Sequence, residues 1–181
     1  MKNRTLALLI ASLLCGTIVV HAQEMQPQKE HKWLEQFAGE WDFEVEIVMQ
    51  PGQPPIKAKG TDSGRMVGGF WVTVEGKAEM MGMPFLSRLT LGYDPTKKKY
   101  IGTWIDSMSS YLWKYEGTVD ATGQILTLET EGPNPMKPET VSKFKEVTEF
   151  KSKDHRVFTS SILGDDGKWT TMVTANSRRK K

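Results

Sequence analysis

The stretch "WDFEVEIVM", residues 41–49, alternates without interruption. Trp41, Phe43, Val45, Ile47 and Met49 share one parity; Asp42, Glu44 and Glu46 share most of the other. A period of two is the signature of a strand with one face in a core and one in water. The theme recurs to the end of the chain. Strand-like runs cover 56–67, 70–80, 84–93, 99–106, 111–119, 124–131, 141–151, 156–163 and 168–177. The breaks between them carry turn chemistry: "PGQPP", Gly68-Gly69, "GYDPTKK", "DATGQ", "GPNP", "KSKDH" and "GDDGK". No segment between runs is long enough for a helical crossover, so the strands must be antiparallel neighbours in chain order. About ten strands in such a meander usually close into a barrel, which leaves no unpaired edge. The expectation is therefore an all-β, antiparallel up-and-down barrel.

What precedes the first strand is different in kind. "HKWLEQFAG" places Trp33, Leu34 and Phe37 at helical spacing, and Gly39 ends the run. A short N-terminal helix should close one end of the barrel. Before it, residues 23–30 are polar with one proline and read as a flexible leader. Residues 1–22 have a basic start at Lys2 and Arg4, an apolar run from Leu6 to Val20, and a small residue at Ala22. That is a secretory signal peptide cleaved near Ala22. The apolar run is shorter than the roughly 20 residues a spanning helix needs. Leu14 before Cys15 argues against a lipidated cysteine. The expectation is an exported protein, periplasmic or extracellular, with a single domain over residues 31–179 and no integral membrane segment after cleavage.

Removing 22 residues from 181 leaves 159, enough for one core. Losing Lys2 and Arg4 leaves 22 basic residues against 22 acidic ones, so no global field argues for nucleic acid. The single cysteine, Cys15, departs with the signal. No disulfide and no thiol nucleophile remain. The two surviving histidines, His31 and His155, lack acidic partners at ligand spacing and are expected at the surface. No metal and no cofactor are expected. No nucleophile elbow surrounds Ser107, Ser109 or Ser110, and no phosphate loop is present.

Parity within the runs nominates an interior. Tyr100, Trp104 and Asp106 share one face; Tyr111, Trp113 and Tyr115 share another, with Lys114 and Glu116 opposite. Arg88 lies opposite Phe85 and Leu89, yet it is an available partner for a buried Asp106. The simpler role for Asp106 is to accept backbone hydrogens in the turn with Ser107–Ser110. Met80, Met81, Met83 and Met108 fall at turns. They would form a soft, polarizable rim if those turns share one mouth, and core filling otherwise. The candidate interior is Arg88, Tyr100, Trp104, Asp106, Met108, Trp113 and Tyr115.

"GEW" at Gly39–Trp41, following a short helix and opening the first strand, resembles the Gly-x-Trp signature of the calycins, the lipocalins and fatty-acid-binding proteins among them. That resemblance implies that Trp41 plugs one barrel end and that an arginine late in the last strand packs across it. Arg178 or Arg179 stands in the matching place, with Arg178 assigned the role. More extensively, "LEQFAGEWDFEVEIVMQPGQPP", "GGFWVTVEG", "LGYDPTKKKYIGTWIDSMSSYLWKYEG" and "DDGKW" resemble an uncharacterised bacterial family, domain of unknown function 1579. The resemblance implies a calycin-like barrel and carries no activity. "PGQPP" leaves no room for the two-helix lid of the fatty-acid-binding proteins, so a pocket would be more open. The leading expectation is that the barrel binds a small, mainly apolar ligand. Two alternatives stay open: an envelope interaction or structural protein, and an enzyme using Asp106 and Arg88 inside the barrel. Ligand identity and oligomeric state lie beyond the sequence.

Overall fold

The computed structural model describes residues 26–50, 52–137 and 139–181. The segment read as a signal peptide, 1–22, and residues 23–25 of the stretch read as leader lie outside the described residues. Helix α1 (Lys29–Trp33) runs into a 3-10 turn (Leu34–Phe37). Ten strands follow: β1 (Gly39–Ile47), β2 (Ile56–Val67), β3 (Trp71–Met80), β4 (Met83–Asp94), β5 (Lys99–Asp106), β6 (Ser109–Val119), β7 (Ile125–Pro133), β8 (Val141–Ser152), β9 (His155–Leu163) and β10 (Trp169–Arg179). Each is antiparallel to its chain neighbours, and β1 closes on β10 from Trp41↔Arg179 to Ile47↔Val173. The barrel is all-β and closed, as the alternation predicts, and calycin-like, as the resemblance implies.

The meander gives the barrel two unlike ends. β1 starts at the helix and runs away from it, so every odd-numbered strand ends at the far end. At the near end, Leu34, Phe37, Trp41, Val72, Leu91 and Leu126 form a buried cluster. Hydrogen bonds pin the helix to the barrel: Trp33 Nε1 donates to the Gly123 carbonyl at 2.7 Å, and the Tyr100 hydroxyl to the Glu30 carbonyl at 3.1 Å. Burying the apolar stripe of so short a helix is what makes it stable, since an isolated helix of this length would not form in water. At the far end lie the turns 81–82, 107–108 and 164–168 and the described residues of the links from β1 to β2 and from β7 to β8. The turns that carry Met81 and Met108 therefore share one mouth.

Several local expectations change. The helix begins at Lys29, within the stretch read as leader, because the Gln28 and His31 side chains cap each other's backbone. His31 is buried, not at the surface. Its Nδ1 accepts the Gln28 N–H at 3.0 Å and its ring packs edge-on against Phe70 and Tyr93. The polar turn before Tyr111 is two residues long: Ser109 and Ser110 already belong to β6. Ser107 stays paired to β4 through its N–H to the Leu86 carbonyl at 2.9 Å.

The arginine on Trp41 is Arg179, which corrects the assignment to Arg178. A bulge between Thr171 and Val173 resets the parity of β10. Beyond it Val173, Ala175, Ser177 and Arg179 face inward, and Arg178 is exposed opposite Asp42. The Arg179 guanidinium lies 4.2 Å from the centre of the Trp41 ring. It donates to the carbonyls of Ala38 at 2.5 Å, Gln36 at 3.3 Å and Lys153 at 3.1 Å. Gly39 has φ +103°, and a Cβ there would meet the same guanidinium. The glycine and the tryptophan of the motif thus serve one structural plug.

Candidate functional site

Above the plug the barrel is hollow. A cavity of about 660 Å³ runs from the Trp41 layer toward the far mouth, within the range of small-molecule sites. Its wall is largely apolar, with Phe43 and Val45 from β1, Phe85 and Leu89 from β4, Leu126 from β7 and Phe158 from β9. Small side chains, Ala175, Ser87, Ser160 and Ser177, line part of the wall among the larger aliphatic and aromatic ones.

Trp104, Asp106, Met108, Trp113 and Tyr115 all line this cavity. Trp104 and Trp113 are direct cross-strand partners. Trp113 packs edge-on against Phe144, centroids 5.0 Å apart, and lies over Gly132, where a Cβ would overlap its ring. Gly132 therefore makes the groove in β7 that seats the indole. Asp106 combines both of its expected roles. Its Oδ1 accepts the Met108 N–H at 2.8 Å in the turn, while its Oδ2 accepts Trp104 Nε1–H at 3.3 Å beside the cavity. At the mouth stand Met49, Met81 and Met108, all exposed, with Met80 buried behind them.

Two candidates sit elsewhere. Arg88 is outside the barrel, half exposed and paired with Glu75 on the neighbouring strand. Its parity forces this, so it cannot partner Asp106. Tyr100 is buried in the plug below the cavity, edge-on to Trp33 and Tyr93. Burial pushes its hydroxyl above the ordinary range, and Glu30 adds to the effect.

Three polar groups on the wall were not nominated by sequence reasoning. Near the floor, Arg156 of β9 reaches across to Asp62 of β2 at 2.5 Å, both largely buried. The Arg156 guanidinium lies 4.6 Å from the Trp41 ring centre, so two arginines pack on that indole. Its Nη1 is buried without a hydrogen-bond partner. Burial pushes the Asp62 carboxyl up while Arg156 pulls it back, and burial likewise lowers Arg156. The attraction returns only part of the desolvation cost. Higher on the wall is Glu146 of β8, 7% exposed. Ser160, directly across on β9, donates to its Oε1 at 2.9 Å. Burial raises the Glu146 carboxyl to about 7 from 4.5, with Ser160 opposing. The Tyr115 hydroxyl is pushed far above its usual range, first by burial, then by Glu146 and Asp106. The signal for Glu146 and Arg156 was parity: each sits on the inward side of its strand, among Phe144, Thr148 and Phe150, and among Phe158 and Ile162.

The arrangement suits binding by shape and by a few fixed polar groups. No histidine lines the cavity among the described residues, so the wall serines have no imidazole to activate them. No helix of the described residues is long and apolar enough to cross a membrane.

No curated protein matches the chain. Among solved structures, Rv2717c from M. tuberculosis is similar, with TM-score 0.61 at 14% identity over 86% of this chain and 100% of that one. The S-type phycobiliprotein lyase CPES from Guillardia theta is similar with TM-score 0.52 at 15% identity, over 86% of this chain and 99% of that one. At these identities the likeness concerns the fold. The family model described as "Protein of unknown function (DUF1579)" matches residues 26–179, nearly the whole described chain, and the protein belongs to that family.

Proposed function

We propose that the protein is exported and binds a small, mainly apolar ligand inside the barrel. The observation that carries this reading is the 660 Å³ cavity, walled by aliphatic and aromatic side chains and open at the methionine-bearing end. Apolar wall of this extent gains free energy when a ligand replaces water, at about 25 cal/mol per Å² of surface buried. The methionines suit the mouth, since their unbranched side chains adapt to a passing or bound guest. The likeness of the fold to a phycobiliprotein lyase agrees with an interior that receives a small molecule.

Native mass spectrometry of protein purified from its own envelope or medium tests the reading, alongside titration with an environment-sensitive apolar dye. Trp104 and Trp113 on the wall provide an internal fluorescence reporter. Saturable binding is expected, and it should be lost when Ala175 on the wall is replaced by Phe. Absence of both a co-purified molecule and dye binding would overturn it. N-terminal sequencing of the same material should begin at Gln23; an intact Met1 would overturn the export half.

A further inference from the structure

The charges on the cavity wall do not balance. Its titratable side chains are Asp62, Asp106, Tyr115, Glu146 and Arg156. Asp62 and Arg156 neutralise each other through their ion pair at 2.5 Å. Two carboxyl groups remain, Glu146 from β8 and Asp106 from β5. No lysine lines the cavity, and among the described residues neither carboxyl has a cation within ion-pair distance. On the outer face the same chain pairs its acids freely, as in Lys57–Glu46, Lys59–Glu44 and Lys97–Glu116. A buried carboxyl without a cation is costly, and folded proteins seldom keep one without a use.

The two carboxyls line one cavity with Tyr115, whose hydroxyl is raised first by burial and then by Glu146 and Asp106. Aromatic rings surround that space: Trp104 and Trp113 side by side across β5 and β6, Tyr115 on the same strand as Trp113, and Phe144 edge-on to Trp113. Ring faces attract cations, and more strongly where water is excluded. Carboxyls without a cation, lining an apolar chamber together with aromatic rings, match one ligand chemistry better than any other. We infer that the ligand carries an organic ammonium group on its apolar body, with the nitrogen held by Glu146 and the Trp104–Trp113–Tyr115 rings and the body in the apolar remainder of the cavity. The inference rests on the ligand-binding reading above.

The chemistry balances with no added reactant. In the empty barrel burial raises the Glu146 carboxyl to about 7, so the proton is held below that pH and released above it. An entering ammonium stabilises the carboxylate, so the Glu146 O–H bond breaks and one proton passes to solvent as the ion pair forms. Glu146 is hydrogen-bonded to Ser160 and acts on the Tyr115 hydroxyl, Asp106 lines the same cavity, and Arg156 is committed to Asp62. None of them supplies the missing positive charge.

The test uses three probes with one apolar body: naphthylmethylamine, naphthylmethanol and naphthoic acid, titrated calorimetrically into the mature protein. The amine is expected to bind at least about tenfold more tightly than the alcohol at pH 7.5, and the acid most weakly. Amine affinity should rise roughly tenfold from pH 6 to pH 8, with up to one proton released, while alcohol affinity stays flat. Glu146→Gln should erase both the preference and the pH dependence yet still bind the alcohol. If that variant does not fold, Asp106→Asn should reduce the preference in its place. Equal binding of amine and alcohol would overturn the inference and leave the apolar-ligand reading standing. Tightest binding of the acid would overturn it in favour of Arg156. Failure of all three probes to bind would overturn both readings.

Discussion

Glu146 should make the protein less stable as pH rises through neutrality. Its carboxyl titrates near 4.5 in an unfolded chain and at about 7 in the barrel, because burial disfavours the charge. Between those values the unfolded state has released the proton and the folded state still holds it. The unfolded state then binds fewer protons, so the slope of unfolding free energy against pH is negative. Below the lower value both states are protonated and no penalty exists; above the upper value both are ionised and the penalty is complete. At 1.36 kcal/mol per pH unit, the displacement from 4.5 to about 7 amounts to roughly 3 kcal/mol. Glu146→Gln removes the titration while keeping the shape and an acceptor for the Ser160 hydroxyl. Urea denaturation of both proteins at pH 4.5, 6, 7 and 8 measures the effect. The variant should gain on the parent by roughly 3 kcal/mol across that range, most of it between pH 5 and pH 7. Taking the difference cancels the other titrations, including that of Asp62, which burial also raises. Parallel curves would refute the reasoning, and would mean that water or a rearranged cation reaches the carboxylate.

Asp62→Asn should strand the Arg156 charge and cost about 3–5 kcal/mol, whereas Asp62→Leu with Arg156→Met should recover most of that loss in the same denaturation assay; a double variant as weak as the single one would refute the account. Arg179→Ala gives up the Trp41 contact and three carbonyl bonds and should cost about 2–4 kcal/mol, while Arg178→Ala should stay within about 0.5 kcal/mol. Arg88→Ala should leave probe affinity unchanged within about twofold, because its ion pair with Glu75 lies outside the barrel; a larger loss by fluorescence titration would return Arg88 to the site. Gly132→Ala should displace the Trp113 ring, costing about 1–3 kcal/mol and shifting the tryptophan emission.

The architecture was legible because every level of the sequence agrees on it. Alternation such as Trp41, Phe43, Val45 and Ile47 reports a local property: adjacent side chains on an extended backbone must point to opposite faces. Turn residues such as Gly123 and Gly167, both at positive φ, end each strand where the chain must reverse. With no helix long enough for a crossover, only an antiparallel meander was left. The same logic placed Trp104, Asp106, Trp113 and Tyr115 on inward faces, and it would have placed Glu146 and Arg156 there too, had charged residues at apolar parity been given the same weight as aromatic ones. It also puts Arg88 on the outward parity, against its nomination for the interior as a partner of Asp106, and the outward position is the one observed.

The sequence by itself therefore determined the strands, their order and the facing of most side chains, since these depend on neighbours along the chain. Tertiary structure decided what meets what. The choice of Arg179 over Arg178 turned on a one-residue bulge, and a bulge depends on the register that closure of β1 on β10 imposes. Asp62 and Arg156 are 94 residues apart, and only the curvature of the closed wall brings them together. The cavity is likewise a collective quantity. It is the volume enclosed by ten strands less the side chains that fill it, and no single strand encodes that difference.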